Sequence, residues 1–508
     1  MSEIAFVLEH VVGYPDIARL PGFEHADLDT VMELLEQCGE FMADVVAPTN
    51  RAGDLEGSRW QPDGTVVTPT GFKEAYHQYV EAGWGAVPLP EEFGGGGFPR
   101  VIGLIIQEFM TSANMAFALG PLLTQGAIEA LVTKGNPKQQ QRYLPKMVTG
   151  EWAATMNLTE PQAVSDVGAL TTRAVLCDDG SYAISGQKIF ITFGDHDMTE
   201  QIVHLVLART PGAPAGTKGI SCFIVPKFLV NADGTLGERN GVETLSLEHK
   251  LGIHGSPTCV LSYDEATGYL IGDENFGMRI MFIMMNSARL SVGMQGVAVA
   301  ERAYQQSLDY ARERVQGRAI GAETDSPIID FPDVRRMLMT QKTYLAAARR
   351  LMMLNAAYVD RSTNDPDPAG RQRANEIVGL LTPVCKSFGT DLGNELTSLA
   401  LQIHGGMGFI EETGVAQHYR DVRITAIYEG TNGIQAADLV GRKLGVRDGA
   451  SVMEFLATMR EIEPELAAAG SDFDSIREEL SRQLGALEKA TGWMLRTGRA
   501  DPDAVLSG

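Results

Sequence analysis

The stretch DDGSYAISGQKIFIT, residues 178–192, interrupts a chain that is otherwise patterned for helices. Asp178-Asp179-Gly180 is a hairpin-type turn, because Asp and Gly accept the positive φ that tight turns demand. β-Branched and aromatic residues follow at short intervals, as in a strand. The same texture returns in IVHLVLART (202–210), GISCFIVPK (219–227) and TCVLSYDE (258–265), with a second Asp-Gly turn at 233–234. Residues 151–275 are therefore expected to form a β domain, a small antiparallel barrel or sandwich.

On either side the apolar period is helical. Residues 1–150 read as an N-terminal helical domain. HADLDTVMELLEQCGEFMADVV (25–46) opens on acids and carries apolar residues at spacings of three and four. PLPEEFGGGGFPR (88–100) is a loop by its Pro and Gly content, and residues 101–135 resume the helical pattern. Long helical segments follow at 276–316, 328–362, 368–402 and 433–443, a C-terminal helical bundle over 276–447. Residues 448–508 read as a helical extension, charged and with an apolar stripe.

The 508 residues are 44% hydrophobic, enough for a large core, and the formal net charge is −23. Such acidity disfavours nucleic acid or an anionic membrane as partner. The five cysteines are scattered with no CxxC, which points to unbridged thiols in a reducing compartment and to no zinc or iron–sulfur ligand set. The N-terminus lacks a basic segment followed by an apolar one, so it is not read as a signal peptide. The most apolar runs are broken by polar residues and are expected to be buried helices. The composition fits a cytoplasmic protein.

Four short constellations offer chemistry. MNLTEPQAVSD (156–166) places Thr159 and Ser165 beside backbone N–H groups, which suits a polar ring edge or a phosphate, or merely a turn. In GQKIFITFGD (186–195) Phe190 and Thr192 lie two apart and would share one strand face, able to stack on and hydrogen-bond a flat cofactor, or to be an ordinary sheet surface. ARERVQGR (311–318) ends a helix with Arg314 and Arg318, donors for a diphosphate or a solvated basic end. In LQIHGGMGF (401–409) the glycines permit close backbone approach, and His404 reads as a packed helix-end residue. A fifth stretch, IYEGTNGIQ (427–435), sets Glu429 beside Gly430. That carboxylate is either a base aimed at a ligand or a cap for a helix beginning near Gln435.

In this order, and together with PEEFGGGG, KLGIHGSPTCVLSYDE and YRDVRITAIYEGTNGIQ, the motifs from about residue 30 to 445 resemble the acyl-CoA dehydrogenase family. RSTNDPDPAG, HGSPTC and the 451–508 segment are similar to its larger-subunit branch, which includes 3-methylmercaptopropionyl-CoA dehydrogenases. The resemblance implies an α+β fold: an N-terminal helical domain, a middle antiparallel β domain and a C-terminal four-helix bundle. It implies FAD as cofactor and α,β-dehydrogenation of an acyl-CoA thioester, within β-oxidation or related lipid metabolism. Glu429 falls on the catalytic base. Met156, Leu158, Thr159, Phe190, Thr192 and Thr431 fall on flavin contacts, and Ser165 on the edge shared by diphosphate and substrate. Arg289 and Gly430 match substrate-side positions. Arg314, Gln316, Gln402, Gly405 and Gly406 match residues that reach the FAD of a partner subunit, which implies at least a homodimer. An electron-transferring flavoprotein is the implied acceptor. Val164 departs from the family's usual glycine before Ser165, which puts a β-carbon at the diphosphate edge. The alternatives are an acyl-CoA oxidase on the same fold and a non-catalytic flavin- or acyl-CoA-binding protein. A DNA-associated relative would want a basic C-terminal surface, and residues 451–508 carry both signs.

Overall fold

The computed structural model describes residues 1–506, so the last two residues of the expected extension lie outside the described residues. The first 150 residues are mainly helical. Helix α1 (Leu28–Phe41) starts where the Asp27 carboxylate accepts from the Thr30 N–H at 3.0 Å. The helical stretch over 101–135 consists of two helices, α2 (Arg100–Ala113) and α3 (Met115–Lys134). Asn114 breaks it. Its backbone is extended, its side-chain oxygen accepts from the Phe117 N–H at 3.1 Å, and its amide donates to Thr49 Oγ1 at 2.9 Å. Asn competes for backbone groups in this way and so starts a new helix. A two-stranded ribbon, Arg59–Trp60 against Val66–Val67, also interrupts this part, around the Asp63-Gly64 turn.

The middle region is a seven-stranded sheet: β1 (Trp152–Asn157), β2 (Arg173–Leu176), β3 (Tyr182–Thr192), β4 (Gln201–Ala208), β5 (Ser221–Pro226), β6 (Val242–Leu247) and β7 (Thr258–Leu270). Their order is β1-β4-β5-β7-β3-β2, with β6 also paired on β7. The sheet is not wholly antiparallel as expected, because β1 runs parallel to β4. A parallel pair needs a long crossover, and here residues 158–200 supply it by forming the β2–β3 hairpin on the far edge.

The C-terminal region is built on three long helices, α4 (Gly277–Glu313), α5 (Pro332–Asn364) and α6 (Pro368–His404). Helices α4 and α6 meet at Gly293, Gly296, Gly389 and Gly393. A Cβ added to Gly296 would lie 2.1 Å from the Gly389 carbonyl oxygen, so only glycine allows this approach. A short helix that the pattern did not announce, α7 (Val415–Val422), follows, and then α8 (Asn432–Asp438). The extension folds back as α9 (Ala450–Arg460) and α10 (Asp474–Ala500). Val452, Phe455, Leu456 and Leu484 join it to the main core. Among the described residues one helix, α3, is long and apolar enough to cross a membrane by length and composition, and 83% of that window is buried inside the molecule.

Candidate active site

Three groups of residues stand out, and the first surrounds Glu429. A tight turn at Arg423–Ala426 leads into it, with the Tyr428 N–H donating to Ile424 O at 3.1 Å. Glu429 (φ 56°) and Gly430 (φ 83°) then take left-handed backbone in succession. Helix α8 begins at Asn432, three residues before the expected Gln435. Thr431 caps it, its hydroxyl accepting from the Ile434 N–H at 3.3 Å. Glu429 is therefore not the cap. The Gln435 amide donates to the carbonyls of Glu429 (3.2 Å) and Gly430 (3.1 Å), and Arg289 Nε reaches the Glu429 carbonyl at 3.5 Å. Both carbonyls are thus held inward. Among the described residues the Glu429 N–H donates to nothing.

The Glu429 side chain is half-buried, but its Oε2 is shielded from solvent and has no hydrogen-bond partner. Burial raises the carboxyl to about 7, against the opposing pull of Arg289 and Lys386. Arg289, on α4, is buried and pairs with Asp438 at 3.5 Å, and Asp438 also accepts from Arg442 Nε at 2.6 Å. Lys386, on α6, is buried and donates to Asn432 Oδ1 at 2.8 Å. The Tyr428 hydroxyl donates to Gln295 on α4. A carboxylate desolvated to near-neutral basicity, with one oxygen unclaimed, is suited to take a proton from a weak carbon acid.

The second group lies on the sheet. Lys188, fully buried on β3, donates to Leu158 O at 3.0 Å and to Glu160 Oε1 at 2.8 Å. Glu160 also accepts from the N–H and hydroxyl groups of Thr171 and Thr172. The Ile189 N–H donates to Thr159 O at 2.9 Å. The 158–172 loop is thereby stitched to β3, which brings Leu158 and Thr159 beside Phe190, with Met156 at the end of β1. The expected simple alternation of Phe190 and Thr192 does not hold. The pairing with β7 slips between Cys259 and Leu261, and Phe190 (φ 59°) bulges out between the buried Lys188 and Ile191. A bulge re-aims a side chain, and Phe190 is 52% exposed. Among the described residues the hydroxyls of Thr159, Ser165 and Thr192 make no hydrogen bond. An exposed aromatic in company with unsatisfied hydroxyls suits a flat heteroaromatic with polar edges. Val164 is likewise exposed on this loop, so its β-carbon points to the outside rather than into the core.

The third group sits at the far end of the bundle. Arg314 donates to Gln316 Oε1 at 3.0 Å on an exposed loop. Gln402, Gly405 (φ 59°) and Gly406 close α6 nearby, where Tyr310 stacks on His404 with centroids 4.3 Å apart. His404 is otherwise satisfied by Ala400 O at 2.8 Å. From Arg289 to the end of α4 is about 36 Å at about 1.5 Å per residue. Within one chain the structure thus joins Glu429, Gly430, Thr431 and Arg289, and separately Arg314, Gln316, Gln402, Gly405 and Gly406, but not the two sets with each other. A cavity of 460 Å³ lined by Glu3, Glu108, Glu301 and Arg349 holds none of these residues.

Sequence reasoning missed Lys386, Asn432, Gln435 and Gln295. The one available signal was a lone lysine in the apolar run LLTPVCKSF (380–388), and Asn432 and Gln435 stood in the quoted motif without an assigned partner.

Three family models match successive parts of the chain: the acyl-CoA dehydrogenase N-terminal domain at residues 29–151, the middle domain at 155–266 and the C-terminal domain at 275–444. The 3-methylmercaptopropionyl-CoA dehydrogenase of Ruegeria pomeroyi is 47% identical over 510 residues, covering 100% of this chain and 86% of that one. A butyryl-CoA dehydrogenase of Syntrophomonas wolfei is 39% identical over 505 residues, covering 95% and 82%. Among solved structures, butyryl-CoA dehydrogenase from Megasphaera elsdenii superposes with a TM-score of 0.67 at 26% identity, covering 82% of this chain and 98% of that one.

Proposed function

The chain belongs to the acyl-CoA dehydrogenase family as an FAD-dependent oxidoreductase acting on an acyl-CoA, and from that premise we propose that Glu429 is the base that removes the α-proton of the thioester. The observation that carries this reading is the pairing of a buried, unpartnered carboxylate oxygen with a free N–H in one residue. When the thioester carbonyl accepts from the Glu429 N–H, the developing enolate oxygen is stabilised, and a donor of this kind is worth roughly 3 kcal/mol in the transition state. Gly430 lets the main chain come that close. Arg289 and Gln435 hold the adjoining carbonyls away from the substrate, so that the N–H faces it.

When bound, FAD accepts the β-hydrogen with its electron pair. Met156, Leu158, Thr159, Phe190, Thr192 and Thr431 would hold the flavin, with Ser165 at the edge shared by diphosphate and substrate. Arg314, Gln316, Gln402, Gly405 and Gly406 would hold the cofactor of a second subunit, which the length of α4 between the two groups favours. The enzyme is then at least a homodimer and passes electrons to an electron-transferring flavoprotein. We assign the domains as 1–150, 151–275, 276–447 and 448–508, and the free thiols suit the cytoplasm. The two relatives are named for short acyl groups, which supports a short linear or methylthio-substituted acyl-CoA as substrate.

The test is anaerobic mixing of the yellow protein with a panel of acyl-CoA thioesters. Loss of the oxidised flavin band with short chains, and none with Glu429→Gln, is the expected result. Bleaching of the variant at the wild-type rate would remove Glu429 as base. Rapid oxygen consumption during turnover would favour an oxidase.

A further inference from the structure

Lys386 is a buried cation that the proposed reaction does not use. It sits in the middle of α6 with its side chain out of solvent. Its hydrogen-bond partner is Asn432 Oδ1, at 2.8 Å, and Asn432 is the first residue of α8, three after Glu429. The same Asn432 donates its amide to Asp391 Oδ1 at 2.7 Å and to Thr390 Oγ1 at 3.0 Å, both on α6. One asparagine thus clasps the start of α8 to one turn of α6. The Gly389–Gly293 and Gly393–Gly296 contacts press that turn against α4, where Arg289 resides.

We propose that Lys386 is a positioning residue for the base: through Asn432 it fixes the Glu429–Gly430 turn against α6, which keeps its ammonium near the Glu429 carboxylate. The proposal rests on Glu429 being the base.

The electrostatics agree with this geometry. The charged groups around the carboxylate are Arg289 from α4 and Lys386 from α6. Those around Lys386 are Glu429, Asp391 and Arg289. The charged groups around Arg289 are the carboxylates of Asp438 and Glu429, which favour its cation, and Arg442, which repels it. Arg289 has a carboxylate partner at 3.5 Å in Asp438, whereas the hydrogen-bond partner of Lys386 is a neutral amide; Arg289 acts on Glu429 the more strongly and Lys386 adds to it. Burial draws Lys386 down to about 8, with Glu429 and Asp391 opposing. A cation that can be discharged just above neutrality can set the basicity of a neighbouring acid in the range where the enzyme works. Without it, Arg289 alone would oppose burial, so Glu429 would sit higher and less of the carboxylate would be ionised at neutral pH.

The experiment uses the FAD-loaded enzyme and four variants: Lys386→Met, Lys386→Arg, Asn432→Ala and Glu429→Gln. The first readout is the titration of the Glu429 carboxyl by infrared difference spectroscopy without substrate, with Glu429→Gln identifying the band. The second is the pH profile of flavin bleaching by a short acyl-CoA. Lys386→Met is expected to move the Glu429 midpoint upward by about one pH unit and to lower the acid-side bleaching rate about tenfold, with the rate recovering at higher pH. Lys386→Arg, which keeps the charge, should restore the midpoint. Asn432→Ala keeps the ammonium but releases the turn, so its rate should fall at all pH values with little movement of the midpoint. A Lys386→Met enzyme whose midpoint and profile superimpose on wild type overturns the inference. If Lys386→Met fails to hold FAD, Lys386→Arg and Asn432→Ala decide the matter. A midpoint displaced equally in both, or in neither with unchanged rates, overturns it. Should Glu429→Gln bleach normally, the reading of Glu429 as base fails, an outcome distinct from an inert Lys386.

Discussion

Glu429 adopts a left-handed backbone that costs a residue bearing a β-carbon about 1–2 kcal/mol, and burial penalises its charge as well. The neighbouring Arg289 and Lys386 offset only part of that penalty. The sign of its pH dependence follows. A carboxyl raised from 4.5 to about 7 in the folded protein favours the protonated form, so folding loses stability as pH climbs from about 4.5 to about 7. Glu429→Gln should therefore be more stable than wild type at pH 8, by on the order of 2 kcal/mol after solvent screening. The gain should vanish below about pH 4.5, and thermal melts across that range would check it. With Glu429 as the proposed base, the bleaching rate of the wild type should instead rise with pH through about 7, because only the anion can accept a proton. One residue later, Gly430→Ala adds a Cβ at φ 83° that would stand 2.8 Å from Gln435 Nε2. We expect a bleaching rate at least tenfold lower with the fold intact, read by stopped flow beside circular dichroism.

At the scale of elements, two buried clasps set where the functional loops lie. Asn114 separates α2 from α3 and ties the break to Thr49. Asn114→Ala removes a buried cap and should cost about 1–2 kcal/mol in urea unfolding. On the sheet, Glu160 and Lys188 lock the 158–172 loop to the bulge at Phe190. Lys188 and the Thr171 and Thr172 donors hold the Glu160 carboxyl down to about 2 in spite of its burial, whereas burial pulls Lys188 down to about 8. The lysine's loss cancels part of the carboxylate's gain, so the pair stabilises the loop less than the Glu160 shift alone implies. For an acid held low in the folded state, stability is present above about 4.5 and is lost as pH falls toward 2. Acidification from pH 4.5 should release FAD from wild type progressively. Glu160→Gln should hold FAD more weakly at neutral pH and show a flatter acid dependence, both measurable by flavin fluorescence.

Across the whole molecule, three regions meet at Asp54. This carboxylate, on the short helix Pro48–Glu56, accepts two bonds from Arg420 of α7 at 2.8 and 2.6 Å and lies 3.1 Å from His254, in the loop before β7. Arg420 sits nine residues before Glu429, so the junction of N-terminal helices, sheet and bundle anchors the segment that carries Glu429. Arg420→Ala would leave the buried Asp54 with only Arg51, 3.2 Å away, and His254 as partners, and should cost about 2 kcal/mol together with bleaching activity, as seen by melting and stopped flow. The separation of the Arg314 group from the Glu429 group leads to a second expectation for the assembly. If each cofactor is held by two subunits, Glu429→Gln and Arg314→Ala chains should each be inactive alone. Refolded together, they should recover activity, because one site of the mixed dimer is then intact. Absence of recovery in verified mixed dimers would mean that each chain holds its own cofactor.

The order of helices, strands and helices was legible in the sequence because each texture is local: a period of 3.6 or of 2 is written in neighbouring residues. Glu429, the glycine beside it and the Thr159 and Thr192 motifs were legible as short strings in a familiar order. The sequence could not announce the bulge at Phe190, which arises from a register slip against β7, a strand some seventy residues away. Nor could it announce the parallel pairing of β1 with β4, the break that Asn114 makes by reaching Thr49, or the hydrogen bond from Lys386 to Asn432. Each of these joins groups distant in the chain, and its energy comes from burial and from satisfying polar atoms that only the packed molecule brings together. The order of the motifs, through their resemblance to a known family, indicated which residues could do the chemistry. Tertiary packing alone decided which carboxylate oxygen is left unpartnered and which cation lies near it.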